Sequence, residues 1–142
     1  MSQKGEVSKN KSFLIMVVED QKDQSRMLLY ILKAHDYRVV CAADGLKALE
    51  LMKSGITPDL LITDINMPGL NGIELIREVK QLNMDVPIVV MSGSQTPKYL
   101  ETFPNLVVED YLVKPFLATN LLSRVEKILK KRSPQPLSAV QN

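Results

Sequence analysis

Apolar residues in this chain fall into short unbroken runs that alternate with longer stretches where they recur every three or four positions. The first run, Phe13 to Val18, is too short for a typical helix and rich in branched residues, which predicts a buried strand. Met27, Leu28, Ile31 and Leu32 then mark one face of a helix over roughly Lys22 to His35. Tyr37 to Ala42 predicts a second strand. The Asp44-Gly45 turn leads to a second helix carrying Leu46, Ala48, Leu49 and Met52, stopped by Ser54-Gly55. The third strand, Pro58 to Asp64, is apolar on both faces and ends on a carboxylate. Pro68-Gly69 and Asn71-Gly72 mark the loop after it, and Ile73, Leu75, Ile76 and Val79 form the buried face of a third helix.

Val86 to Met91 predicts a fourth strand ending at Ser92-Gly93-Ser94, and Leu106 to Val113 contains a fifth that runs into Lys114-Pro115. Between them Pro97 suits a helix start, but Pro104 lacks an N–H and would clash inside one, so a fourth helix is expected to span Pro97 to Phe103 at most. Leu121, Leu122, Val125, Ile128 and Leu129 form one face of a last helix with Lys127, Lys130, Lys131 and Arg132 at its end, where cations suit the helix dipole.

Strands that alternate with helices predict an α/β fold, a parallel sheet with right-handed crossovers and helices on both faces. The 142 residues suffice for one core, read as a single domain over 13–132 between a flexible arm, 1–12, and a flexible tail or linker, 133–142. Lys and Arg total 18 against 16 Asp and Glu, and this small excess argues against direct nucleic-acid binding. Cys41 is the only cysteine, which excludes an internal disulfide; its place in an apolar strand predicts a small buried hydrophobe. No apolar run nears the roughly 18 residues of a membrane span, and the N-terminus lacks the apolar centre of a secretion signal. The expectation is a cytoplasmic protein with no membrane partner.

Chemistry collects where the strands end: Glu19 and Asp20 after the first, Asp64 after the third, Ser92 after the fourth and Lys114 after the fifth. In a parallel sheet those ends share one edge, where ligands bind. Three carboxylates gathered there would repel one another, and Mg2+, a hard cation that takes oxygen ligands, relieves the repulsion. Lys114 and the Ser92 hydroxyl can hold phosphoryl oxygens. The set predicts phosphoryl transfer to a carboxylate. Taken singly, Asp64 could cap a turn, Glu19-Asp20 could cap a helix, Ser92 could form a turn, Lys114 could be a solvated charge and Tyr111 a strand residue. Their coincidence at four strand ends outweighs those plainer readings.

Four segments carry a resemblance: Val17-Val18-Glu19-Asp20, Leu61 to Gly69, Val89-Val90-Met91-Ser92-Gly93, and Asp110 to Phe116. Over about Phe13 to Lys131 the chain resembles the receiver domain of two-component response regulators. The resemblance implies a flavodoxin-like, doubly wound five-stranded sheet of order 2-1-3-4-5 with five helices. It further implies that Asp64 is the phosphoacceptor, that Mg2+ is held by Asp20, Asp64 and the backbone carbonyl of Asn66 with Glu19 acting through water, and that Lys114 pairs with the phosphate. Ser92 would be the switch hydroxyl and Tyr111 the aromatic that moves with it. The implied donor is a phosphohistidine of a histidine kinase or histidine phosphotransfer protein, and the implied result is a switched face for an output partner or output domain. Such a receiver is a self-catalysed phosphoacceptor with slow autodephosphorylation, not an enzyme.

The chain departs from the family at Gly93, where Ala is commoner, at Glu109-Asp110, which replaces a usual Gly-Ala pair, and at Pro104. Two alternatives are weaker. An aspartate-nucleophile phosphatase usually carries a second Asp two residues after the nucleophile, where this chain has Asn66, and a pseudo-receiver interaction module would normally lack the acceptor or the lysine. A flavin protein of similar topology would need a phosphate-cradling loop where Glu19-Asp20 would repel phosphate.

Overall fold

The computed structural model describes residues 12–93 and 107–135, and among them the chain forms β1 (Leu14–Val18), α1 (Lys22–Ala34), β2 (Arg38–Ala42), α2 (Gly45–Lys53), β3 (Leu60–Asp64), α3 (Gly72–Gln81), β4 (Ile88–Ser92), β5 (Asp110–Val113) and α4 (Ala118–Leu129). All strand pairings are parallel, in the order β2-β1-β3-β4-β5, which is the doubly wound flavodoxin-like topology. The short helix expected at Pro97 to Phe103 lies outside the described residues.

The central strands are apolar on both faces because both faces are covered. On one side Met16, Val18, Leu61, Ile88 and Val90 pack with Ala48, Leu49 and Met52 of α2 and Leu75, Ile76 and Val79 of α3. On the other Ile15, Val17, Leu60, Ile62, Val89 and Met91 pack with Leu28 and Leu32 of α1 and Leu121, Val125 and Leu129 of α4. Alternate residues of one strand thus serve opposite cores, and each buried Leu, Ile or Val contributes about 1.5–3 kcal/mol. β2 is an edge strand, and this corrects the expectation for Cys41. The thiol is exposed because no sixth strand or helix covers that edge among the described residues.

Local chemistry sets the element ends. α1 stops where Asp36 takes a left-handed conformation (φ 70°), and the Tyr37 N–H turns back to the Leu32 carbonyl at 3.2 Å. Tyr37 is consequently buried in the junction, and β2 starts one residue later than its apolar run suggests. α2 is capped by Asp44, whose Oδ1 accepts from the Lys47 N–H at 2.9 Å. α3 begins on a full capping box: the Glu74 N–H donates to Asn71 Oδ1 at 2.9 Å and the Asn71 N–H to Glu74 Oε1 at 3.0 Å.

At the amino-terminal edge of the sheet, its floor, Asp59 is only 1% exposed. Its Oδ2 accepts from the Leu14 N–H at 2.7 Å and its Oδ1 from the Gln135 N–H at 2.6 Å. Arg132 Nη2 donates to the carbonyl and a carboxylate oxygen of Asp85, at 2.9 and 3.0 Å, just before β4. The segment after α4 is thereby fastened across the floor. No helix among the described residues is long and apolar enough to cross a membrane.

Candidate functional site

Strand register brings the chemistry together at the opposite, carboxyl edge. Val18 is level with Thr63, so Glu19 and Asp64 occupy the next rung; Asp64 is level with Met91, and Ser92 with Val113, so Ser92 and Lys114 follow alongside. Lys114 Nζ donates to Glu19 Oε1 and to Asp64 Oδ2, each at 3.0 Å. Its backbone N–H donates to the Ser92 carbonyl at 2.7 Å, which ties the lysine to the end of β4. Glu19 Oε2 accepts from the Gln21 N–H at 3.2 Å. One carboxylate oxygen from each of Glu19, Asp20 and Asp64 lies within 4.8 Å of the others. Glu19 and Asp64 are 2% and 7% exposed, Ser92 is buried, and Asp20 stands open to solvent.

Three carboxylates facing one ammonium leave negative charge in excess. Burial pushes the Glu19 carboxyl above the usual glutamate range, and the Asp64 charge adds to this against the opposing pull of Lys114 and the Gln21 N–H. Burial works against the Lys114 ammonium, but its hydrogen bonds to Asp64 and Glu19 and their charges outweigh that and hold it above the usual lysine range. An oxygen-only donor set with surplus negative charge, two of its members withdrawn from bulk water, fits Mg2+.

Two expectations follow. Both oxygens of Glu19 already accept hydrogen bonds while Asp20 is open, so Asp20→Ala should weaken Mg2+ binding more than Glu19→Ala in a metal titration. The raised Glu19 pKa also sets a sign. Between its unfolded and folded values the native chain holds a proton that the unfolded chain releases, so metal-free stability should fall as pH rises through that window. Glu19→Gln should flatten that part of a denaturation-against-pH curve.

Asn66 lies two residues past Asp64 on the exposed loop before α3. Tyr111 is level with Val90 on β5, one rung below the Met91 and Leu112 pair, and is 37% exposed. Neither belongs to the cluster of Lys114 contacts described above. Two residues that the sequence did not single out support Asp64 directly. Buried Thr63 donates its Oγ1 hydrogen to the Asp64 carbonyl at 2.9 Å. Gly72 packs so closely that a Cβ there would stand 2.2 Å from the same oxygen. The first has no local sequence signal, and the second reads only as a turn glycine.

The family of the response regulator receiver domain matches residues 15–126. The chain is 39% identical to the sensor histidine kinase TmoS of Ectopseudomonas mendocina over 83% of its own length and 12% of that protein. It is 32% identical to the response regulator MprA of Mycobacterium bovis over 87% of its length and 54% of that protein. The chain therefore corresponds to about half or less of these relatives. Its fold superposes on the response regulator TrrA of Thermotoga maritima, solved in complex with Mg2+-BeF, with a TM-score of 0.73, 30% identity, and 82% and 99% of the two chains covered.

Proposed function

Since the chain belongs to the response regulator receiver domain family of two-component signalling, we propose that it accepts a phosphoryl group on Asp64 from a phosphohistidine of a histidine kinase or histidine phosphotransfer protein, and that the modification switches a face read by an output partner. The observation that carries this reading is Lys114 Nζ, 3.0 Å from both Asp64 and Glu19, on the edge where all the strand-end groups converge.

An Asp64 carboxylate oxygen attacks phosphorus in line, a P–O bond forms, and the P–N bond of the donor breaks with its electron pair returning to the imidazole. Lys114 moves from its two carboxylate partners to a phosphoryl oxygen and keeps its charge beside the transferring group. Asp20, Asp64 and the Asn66 carbonyl would hold Mg2+, with Glu19 acting through water. When bound, Mg2+ supplies positive charge to the phosphoryl oxygens. The acyl phosphate adds about 1.5 to 2 negative charges at the end of β3, if it resembles other phosphorylated side chains. Ser92, buried beside it on β4, turns its hydroxyl to that charge, and Tyr111 on β5 responds to the vacated space.

Incubation with acetyl phosphate and Mg2+ should add one phosphoryl mass to the intact protein, and chelation of the metal should suppress it. No increment under saturating donor and metal would overturn the reading.

A further inference from the structure

We infer that Gly72 is a positioning residue for the phosphoacceptor: its bare Cα lets the first turn of α3 lie on the Asp64 carbonyl, and this contact fixes where the Asp64 carboxylate stands relative to Glu19, Asp20 and Lys114. The inference rests on the reading of Asp64 given above. A Cβ on Gly72 would lie 2.2 Å from the Asp64 carbonyl oxygen, 2.8 Å from the Ile65 Cα and 3.1 Å from the Asp64 carbonyl carbon. All three are backbone atoms of the acceptor segment, so no side-chain rotation relieves the overlap. The requirement is for space, since Gly72 is not among the glycines with positive φ.

The helix is poorly placed to yield. Its start is fixed by the Asn71–Glu74 capping box, the Gly72 N–H donates to the Ile65 carbonyl at 2.9 Å, and Leu75, Ile76 and Val79 are locked in the core. The strand end is paired with β1 as far as Thr63 and with β4 as far as Asp64, and past that it is held by the Ile65 N–H on the Met91 carbonyl at 3.2 Å and the Thr63 hydroxyl on the Asp64 carbonyl at 2.9 Å. Ordinary carbon–oxygen contact needs about 3.3 Å, so a methyl group at position 72 pushes the acceptor backbone by roughly 1 Å. Lys114 reaches Asp64 and Glu19 at 3.0 Å each, and a shift of that size alters the geometry in which it bridges the two carboxylates. Misplacement of about 1 Å in a phosphoryl-transfer site costs on the order of a hundredfold in rate.

The test compares Gly72→Ala with Val79→Ala, a core change on the same helix and away from the strand end, at a temperature where both are folded. Gly72→Ala should label with acetyl phosphate on the order of a hundredfold more slowly, with a Mg2+ midpoint raised several-fold and faster amide exchange at Ile65. Val79→Ala should be less stable yet keep all three near wild type. If the two variants label, bind Mg2+ and exchange at Ile65 alike, Gly72 is only structural and the inference falls. Should Gly72→Ala not fold, Asn71→Ala loosens the start of α3 without crowding it, and no change in Mg2+ midpoint or Ile65 exchange relative to Val79→Ala overturns the inference equally. Failure of wild type to label would instead count against Asp64 as acceptor, and the metal midpoint and Ile65 exchange would still decide the role of Gly72.

Discussion

Asp64→Asn takes up no phosphoryl group from acetyl phosphate in the expected outcome, while wild type gains one phosphoryl mass. The carboxamide matches the carboxylate in size and can still accept from Lys114 Nζ through its oxygen, so the packing at the end of β3 is preserved. What is lost is the proposed nucleophile and one anionic member of the carboxylate cluster proposed to hold Mg2+. Stability should change little, because the removal of one carboxylate from the Glu19, Asp20 and Asp64 cluster lowers repulsion while it weakens one bond to Lys114. These terms are each about 1 kcal/mol and opposite in sign. Intact mass and urea denaturation measured together check both halves. Wild-type labelling of a normally folded Asn variant would move the acceptor to another side chain, and Asp20 would be the first to test.

A large loss of stability is expected from Asp59→Ala. One carboxylate satisfies two backbone N–H groups, Leu14 at the start of β1 and Gln135 beyond α4. A buried donor left without a partner costs about 1–3 kcal/mol, and the second donor can turn to water, so a total near 3 kcal/mol is expected. For a domain of this size that corresponds to a fall in Tm of about 12 °C. Asp59→Asn keeps one carbonyl acceptor and should cost less than half as much. Labelling of Asp64 should survive both changes where the protein is folded, since Asp59 lies at the floor and Asp64 at the opposite edge. A midpoint shift of only a degree or two for Asp59→Ala would mean that water takes over the role of the carboxylate.

The strands and the chemistry at their ends were legible for one physical reason. A strand buried on both faces is mostly apolar until it reaches the sheet edge, so the ionisable or hydroxyl residues that follow Val18, Thr63 and Met91 mark the working edge, with Thr63 itself a buried polar residue satisfied by the Asp64 carbonyl. Sheet order came only through resemblance, because a run of apolar residues carries no label for its neighbour. The same limit hid the exposure of Cys41, which depends on β2 standing at an edge. Pro58-Asp59 reads as the start of the third strand, which begins instead at Leu60, and the Asp59 side chain acts on residues 45 and 76 positions away. Gly72 likewise shows its turn chemistry locally while its demand for space comes from Asp64, on another element. The capping box of α3, by contrast, is contained in Asn71 and Glu74 and needs no tertiary contact to be read.

The fastened floor also sets a leash length. Ser12 accepts from Arg38 beside the start of β1, and Gln135 is held by Asp59 next to it, so both ends of the described domain leave from the side away from the acidic cluster. A strand of five residues separates the two edges, about 17 Å at 3.3 Å per residue. A flexible connector spans on average about 5–6 Å times the square root of its residue number, so about ten residues bring its mean reach to the level of the acidic cluster.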